Sequence, residues 1–198
     1  SLPMIISMLV QALYNVVDSY FVARYAQDAL TAVSLAFPAQ NLMIGVATGT
    51  AVGVNALLSR ALGEKKPELA NQIAENGVFL AMVGYALFLI FGLFGVRTFF
   101  RAQTGVEAIV NYGVDYLTVI CCFSFGVFGQ IMFVFFNETA TTKIYTMFTQ
   151  GTGAIINIIL DPVFIFVFKQ GARGAAIATV IGQIVAFILA VILNHVKN

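Results

Sequence analysis

The sequence predicts an all-α membrane protein, a bundle of six transmembrane helices, on three observations. Hydrophobic residues make up 60% of the 198 and charged residues only 10%, with a mean hydropathy of +0.94; a soluble core of this size has no room for so many apolar side chains. Apolar runs of the roughly 20 residues needed to cross about 30 Å of hydrocarbon recur along the chain. The charges gather between those runs: Arg24 and Asp28, the stretch from Arg60 to Glu68, Arg97 and Arg101, Glu138 and Lys143, Lys169 and Arg173.

The first run, Leu2 to Val22, follows an SLP start with no basic stretch and no initiator Met. It reads as a spanning helix and not a cleaved signal, in what reads as a piece of something longer. The second, Ala32 to Leu58, carries Pro38, which is expected to bend it and free the carbonyl of Ser34. It also carries Gly45, Gly49 and Gly53 at four-residue spacing, a pattern that lets another helix approach closely. Gly63 stops this helix, Lys65 and Lys66 follow, and Pro67 opens the approach to the third run, Ile73 to Val96. The fourth, Ile109 to Phe136, contains Cys121 and Cys122, adjacent and therefore packing residues in preference to a strained disulfide; Asn137 and Glu138 end it at the interface. Ile144 to Phe168 and Ala175 to Leu193 complete the set, and the lone His195 lies beyond in the interfacial layer. The links are short, so neighbouring helices are expected to be antiparallel. Arg60, Lys65, Lys66, Lys143 and Lys197 on one side balance Arg24, Arg97, Arg101, Lys169 and Arg173 on the other, which leaves the orientation undecided.

Two acids stand inside apolar stretches, Asp18 in QALYNVVDSYFVA and Asp161 in GAIINIILDPVFIF. A carboxylate in hydrocarbon is costly, so such residues line an ion or substrate path inside a bundle. Helices one and five run in the same direction. Asp18 is six residues from Arg24, roughly 9 Å of helix, and Asp161 eight from Lys169, roughly 12 Å, which places the carboxylates at similar depth. If those two helices are neighbours, one small site uses both. Gln11, Asn15 and Asp18 fall at i, i+4 and i+7; Asn157 and Asp161 are one turn apart, with Gln150 two turns before; Thr179 and Gln183 make a similar pair. These polar stripes are expected to point inward. Pro162 has no amide hydrogen, which leaves the carbonyl of Ile158 free beside Asp161 as a ligand for a cation.

With a net charge of +1, no basic run and no paired Cys/His spacing, nucleic-acid binding and a structural metal are excluded. No HExxH or comparable motif supports a membrane-embedded enzyme. Both Lys and Arg stay in loops or at helix ends, against the cationic cavity that a flippase of lipid-linked sugars would need for phosphate. A passive channel or a structural bundle is the remaining alternative.

The segments LYNVVDSYFVARYAQDALTAVSLAFPAQNLM, LLSRALGEKKPELA, GTGAIINIILDPVFIF and GARGAAIATVIGQ, taken in order, resemble the N-terminal half of multidrug and toxic compound extrusion (MATE) transporters. The resemblance implies one six-helix lobe of a twelve-helix antiporter that exports organic cations and other amphipathic compounds in exchange for sodium ions or protons, without a cofactor. It implies a cation site of Asp18, Asn157, Asp161 and Thr179; the helical spacing adds Gln11, Asn15, Gln150 and Gln183 as substrate-lining or polar-stripe residues. The partners it implies are the lipid bilayer, the cargo, and a second lobe or another copy of the chain. The setting it implies is a bacterial or archaeal plasma membrane with both termini cytoplasmic. The sequence departs from the family pattern at FFNETATTKIYTM, between the fourth and fifth runs.

Overall fold

The computed structural model describes residues 2–140 and 144–197, with the side chains of residues 2–4, 7, 138–140 and 197 left aside. Lys143, the Glu138 carboxylate and the centre of the link between the fourth and fifth runs thus lie outside the described residues. The described chain is helical from end to end: α1 (Leu2–Tyr25), α2 (Gln27–Gly63), α3 (Pro67–Ile90), one π-helical turn (Phe91–Gly95), α4 (Val96–Arg101), α5 (Glu107–Cys122), α6 (Phe125–Ala140), α7 (Ile144–Pro162), a second π-helical turn (Val163–Val167) and α8 (Gly171–Lys197).

Helices extend past the apolar runs at most ends, because charged and aromatic residues continue a helix into the headgroup layer. Arg24, Asp28, Arg60, Glu68, Arg97, Arg101 and Arg173 all lie within helices, as does the exposed His195. By length and hydropathy, four stretches among the described residues are candidate spans, Gln27–Gly63, Pro67–Arg101, Ile144–Val167 and Gly171–Val196; the pair Glu107–Cys122 and Phe125–Asn137, bent by 45°, makes a fifth. α1, whose side chains at residues 2–4 and 7 are left aside, is a further helix of 24 residues beside that set.

The fourth run is therefore two helices and not one. At the break, Ser124 Oγ donates to the Cys121 carbonyl at 2.8 Å, and the Tyr85 hydroxyl of α3 donates to the Cys122 carbonyl at 3.1 Å. Side chains thus satisfy carbonyls the bend releases. Both cysteines are free thiols.

The connection from α2 to α3 follows the sequence pattern: Gly63 ends one helix, Lys65 takes φ 55°, and Pro67 is the first residue of the next. Lys66 and Arg60 flank Glu64 and hold its exposed carboxyl below the usual carboxylate range. At the far end of α4, Glu107 receives Arg97 at 3.3 Å and Arg101 at 3.1 Å.

A coat of apolar side chains faces outward, with Phe94 80% and Val167 71% exposed. Inside, α2 lays a stripe of small residues, Ala29, Ala32, Ala36, Ala39, Ala47, Ala51 and Ala61, against its neighbours. Gly45, Gly49 and Gly53 lie on another face, exposed, with no atom within 4 Å of where a Cβ would stand. The close-packing seam of α2 is alanine, and its glycines meet nothing in this chain. The helix runs through Pro38 as a single element.

Candidate functional site

α1 packs along α7, and α7 along α8. The α7–α8 contact has an identifiable cause. A Cβ on Gly153 would stand 2.9 Å from the carbonyl oxygen of Gly182, and one on Gly182 would stand 2.6 Å from that of Gly153. Only two glycines allow backbones so near. One turn along α7 is Asn157, and one turn back along α8 is Thr179, so the glycine pair sets these side chains face to face.

The Asn157 amide fits its surroundings fully in one orientation, assigned from the hydrogen-bond network. Its nitrogen then donates to Asp161 Oδ2 at 3.1 Å, and its oxygen accepts from the Thr179 backbone N–H and hydroxyl, each at 3.0 Å. Asp161, one turn on, is fully buried, and Asp18 of α1 is 7% exposed. Their carboxyl groups lie within hydrogen-bonding reach of each other. Each keeps one oxygen, Oδ1, buried with no hydrogen-bond partner. The structure thus brings together Asp18, Asn157, Asp161 and Thr179, from three helices.

Pro162 ends α7, and the chain continues in a π-helical turn closed by Phe168 N–H donating to the Val163 carbonyl at 3.0 Å. Lys169 and Gly171 then take φ 54° and 56° to start α8. The Tyr25 ring lies 2.4 Å from where a Gly171 Cβ would stand, so both the positive φ and the close ring favour glycine there. The wide turn holds the end of α7 beside the carboxylates while α8 returns alongside.

A cavity of about 280 Å³ opens next to this cluster, between α1, α2, α6, α7 and α8. Gln11, Gln150 and Gln183 line it, together with Asn157 and Thr179. Neither aspartate lines it. Asn15 does not line it either and is exposed: the inner face of α1 is set by Tyr14 and Asp18, and Asn15 lies about 100° round the helix from Tyr14. The i, i+4, i+7 stripe covers only about 60° of arc, but the covered face of α1 is turned toward Tyr14 and leaves Asn15 at its outer edge, which corrects the expectation of an inward stripe.

Sequence reasoning missed several residues here. Tyr14 lines the cavity, and its place three residues after Gln11 and four before Asp18 was the available signal. Gln130 and Thr48 line it from α6 and α2. Tyr116 of α5 is buried within electrostatic range of both carboxylates and accepts from Gln40 Nε2 at 3.0 Å; nothing local marks it. Asn137 is structural: it is buried, donates to the Ala190 carbonyl at 2.9 Å and accepts from Asn194 at 3.2 Å. Two further acids inside apolar runs, Glu75 and Asp115, are exposed.

The MatE family model matches residues 3–163. A FAD transporter of Shewanella oneidensis is 26% identical over 212 residues, which cover 100% of this chain and 45% of that protein. The multidrug export protein MepA of Staphylococcus saprophyticus is 23% identical over 195 residues, 97% of this chain and 43% of that one. A solved structure of a MOP superfamily transporter from Pyrococcus furiosus superposes with a TM-score of 0.89 at 28% identity, over 96% of this chain and 42% of that chain. The chain spans less than half the length of these relatives. With its apolar coat and its fold of one transporter lobe, this integral membrane protein belongs to the MatE family, a family of transporters and not of enzymes.

Proposed function

We propose that the chain is one lobe of a cation-coupled antiporter that exports organic cations or other amphipathic compounds by alternating access. Asp18, Asn157, Asp161 and Thr179 form its ion site, and the adjoining cavity, with Gln11, Gln150 and Gln183 in its walls, is its cargo site. One observation carries the reading: Asn157 belongs to both, lining the cavity while it donates to Asp161.

Two ionised carboxylates in direct contact repel strongly in a dry interior, so the pair takes up one cation. The geometry favours a proton. Carboxyl groups at hydrogen-bonding reach share a proton directly, whereas the Asn157 oxygen, occupied by Thr179, is not left for a metal cation. A neutralised Asp161 is a weaker acceptor, the Asn157 amide loosens, and the cavity wall changes with it. Transport follows because ion and cargo then bind the outward and inward states unequally.

A second lobe, in the same polypeptide or from another copy, supplies the opposite wall; the length of the relatives supports this. The membrane is a bacterial or archaeal plasma membrane with both ends of the lobe cytoplasmic. A flippase of lipid-linked sugars is disfavoured, because the described residues of the cavity wall include no Lys or Arg to meet phosphate.

The test is export of a fluorescent amphipathic compound from membrane vesicles carrying the assembled transporter, expressed from its native gene, under imposed proton or sodium gradients. Asp18→Asn and Asp161→Asn each reduce gradient-driven export at least tenfold with the protein still in the membrane. Wild-type rates in both variants would remove the mechanism, and export driven by sodium alone would replace the proton.

A further inference from the structure

The cavity wall is distinctive in its chemistry. Among the described residues five carboxamide side chains line it, Gln11, Gln130, Gln150, Asn157 and Gln183, with the Tyr14 hydroxyl among them, and none of those lining the wall is charged. The two carboxylates that would attract a cation stay behind Asn157 and do not line the space. A permanent cation entering here would leave water for a wall that, on the side this chain supplies, offers it no ion to pair with, and buried unpaired charge is heavily penalised. Carboxamides instead offer a donor and an acceptor side by side. A ring edge carrying C=O next to N–H, as in a lactam or an imide, matches that pattern in two bonds at once.

Gln183 strengthens the case. Its Oε1 is buried without a hydrogen-bond partner, a state that disfavours the side chain where it stands. A modest rotation turns that oxygen into the cavity, where a ligand N–H can satisfy it. The volume of about 280 Å³ sits just below the roughly 300–1,000 Å³ of drug-sized pockets, which suits a small fused-ring compound.

We infer that the cavity selects uncharged, planar heterocycles bearing an adjacent carbonyl and ring N–H, in preference to organic cations. This rests on the reading of the cavity as the cargo site, and it narrows that site's substrate class. Such a ligand accepts the Asn157 amide N–H that Asp161 does not take and so draws the same nitrogen away from Asp161, which couples a neutral cargo to ion uptake without charge repulsion.

The experiment is equilibrium binding to the purified chain in lipid nanodiscs, using two fluorescent fused-ring probes: lumiflavin, neutral with an imide edge, and ethidium, a cation. Lumiflavin is expected to bind at least tenfold more tightly than ethidium. Methylating its imide nitrogen and the Gln183→Leu substitution should each weaken it about tenfold. Ethidium binding as tightly as lumiflavin, or imide methylation without effect, overturns the inference; neither result depends on a variant folding. Thr48→Phe, which fills the cavity, separates the two levels: if it abolishes both probes while ethidium binds more tightly, the cargo site stands and its class is wrong, and if it affects neither, the cargo site itself falls.

Discussion

At the scale of single residues, Asn157 is the side chain on which the proposed coupling turns. It is 3% exposed and bridges Thr179, Asp161 and the cavity. Asn157→Leu keeps the approximate volume and removes all of its hydrogen bonds, so gradient-driven export should fall at least tenfold. Thr179→Val should do less alone, because the Asn157–Asp161 bond survives. The double variant should be no worse than Asn157→Leu, since both changes break one network. Export measured in the four forms checks this; losses that simply multiply would mean the two side chains act independently. Interhelical hydrogen bonds in a membrane are worth only about 1 kcal/mol for stability, so the expected transport loss is larger than a purely structural role explains.

At the scale of elements, glycine decides where helices touch, and its position in three dimensions matters more than its spacing in sequence. Gly153 and Gly182 bring α7 and α8 into backbone contact, whereas Gly49 of α2 meets open space. Gly182→Ala should therefore push the helices apart, at a cost of about 1–3 kcal/mol by analogy with overpacked cores. It should lower the thermal unfolding midpoint in detergent and weaken the Asn157–Thr179 contact. Gly49→Ala should leave the midpoint unchanged. Equal midpoints for the two variants would refute the glycine seam. The same logic explains why the break between α5 and α6 was hidden: no proline marks it, and the carbonyls it releases are met by Ser124 and by Tyr85 of another helix.

At the scale of the whole molecule, the lobe is closed where its own helices meet and open along the outer glycine face of α2. The chain accounts for 42–45% of the length of its relatives, and in the proposed assembly a second lobe covers that face. Gly49→Trp should then leave the thermal stability of this chain intact in nanodiscs, because nothing stands within 4 Å of the site. In the assembled transporter it should impair export severalfold. Full export by that variant would place the second lobe elsewhere.

An all-helical membrane bundle follows from the sequence alone, because hydrocarbon tolerates only helices or closed barrels and the apolar runs have helical length. The similar depth of Asp18 and Asp161 was also legible, since helix rise converts residue counts to depth; that their helices are neighbours was not. Other matters were decided only in three dimensions. Asn15 turned outward, Tyr116 joined the cluster from a helix with no local mark, and Asn157 took a place in both ion site and cavity. Depth along a helix is written in the chain as a count. Which face a side chain presents, and what stands opposite, depends on how helices distant in sequence pack, and that was settled by a pair of glycines touching across α7 and α8.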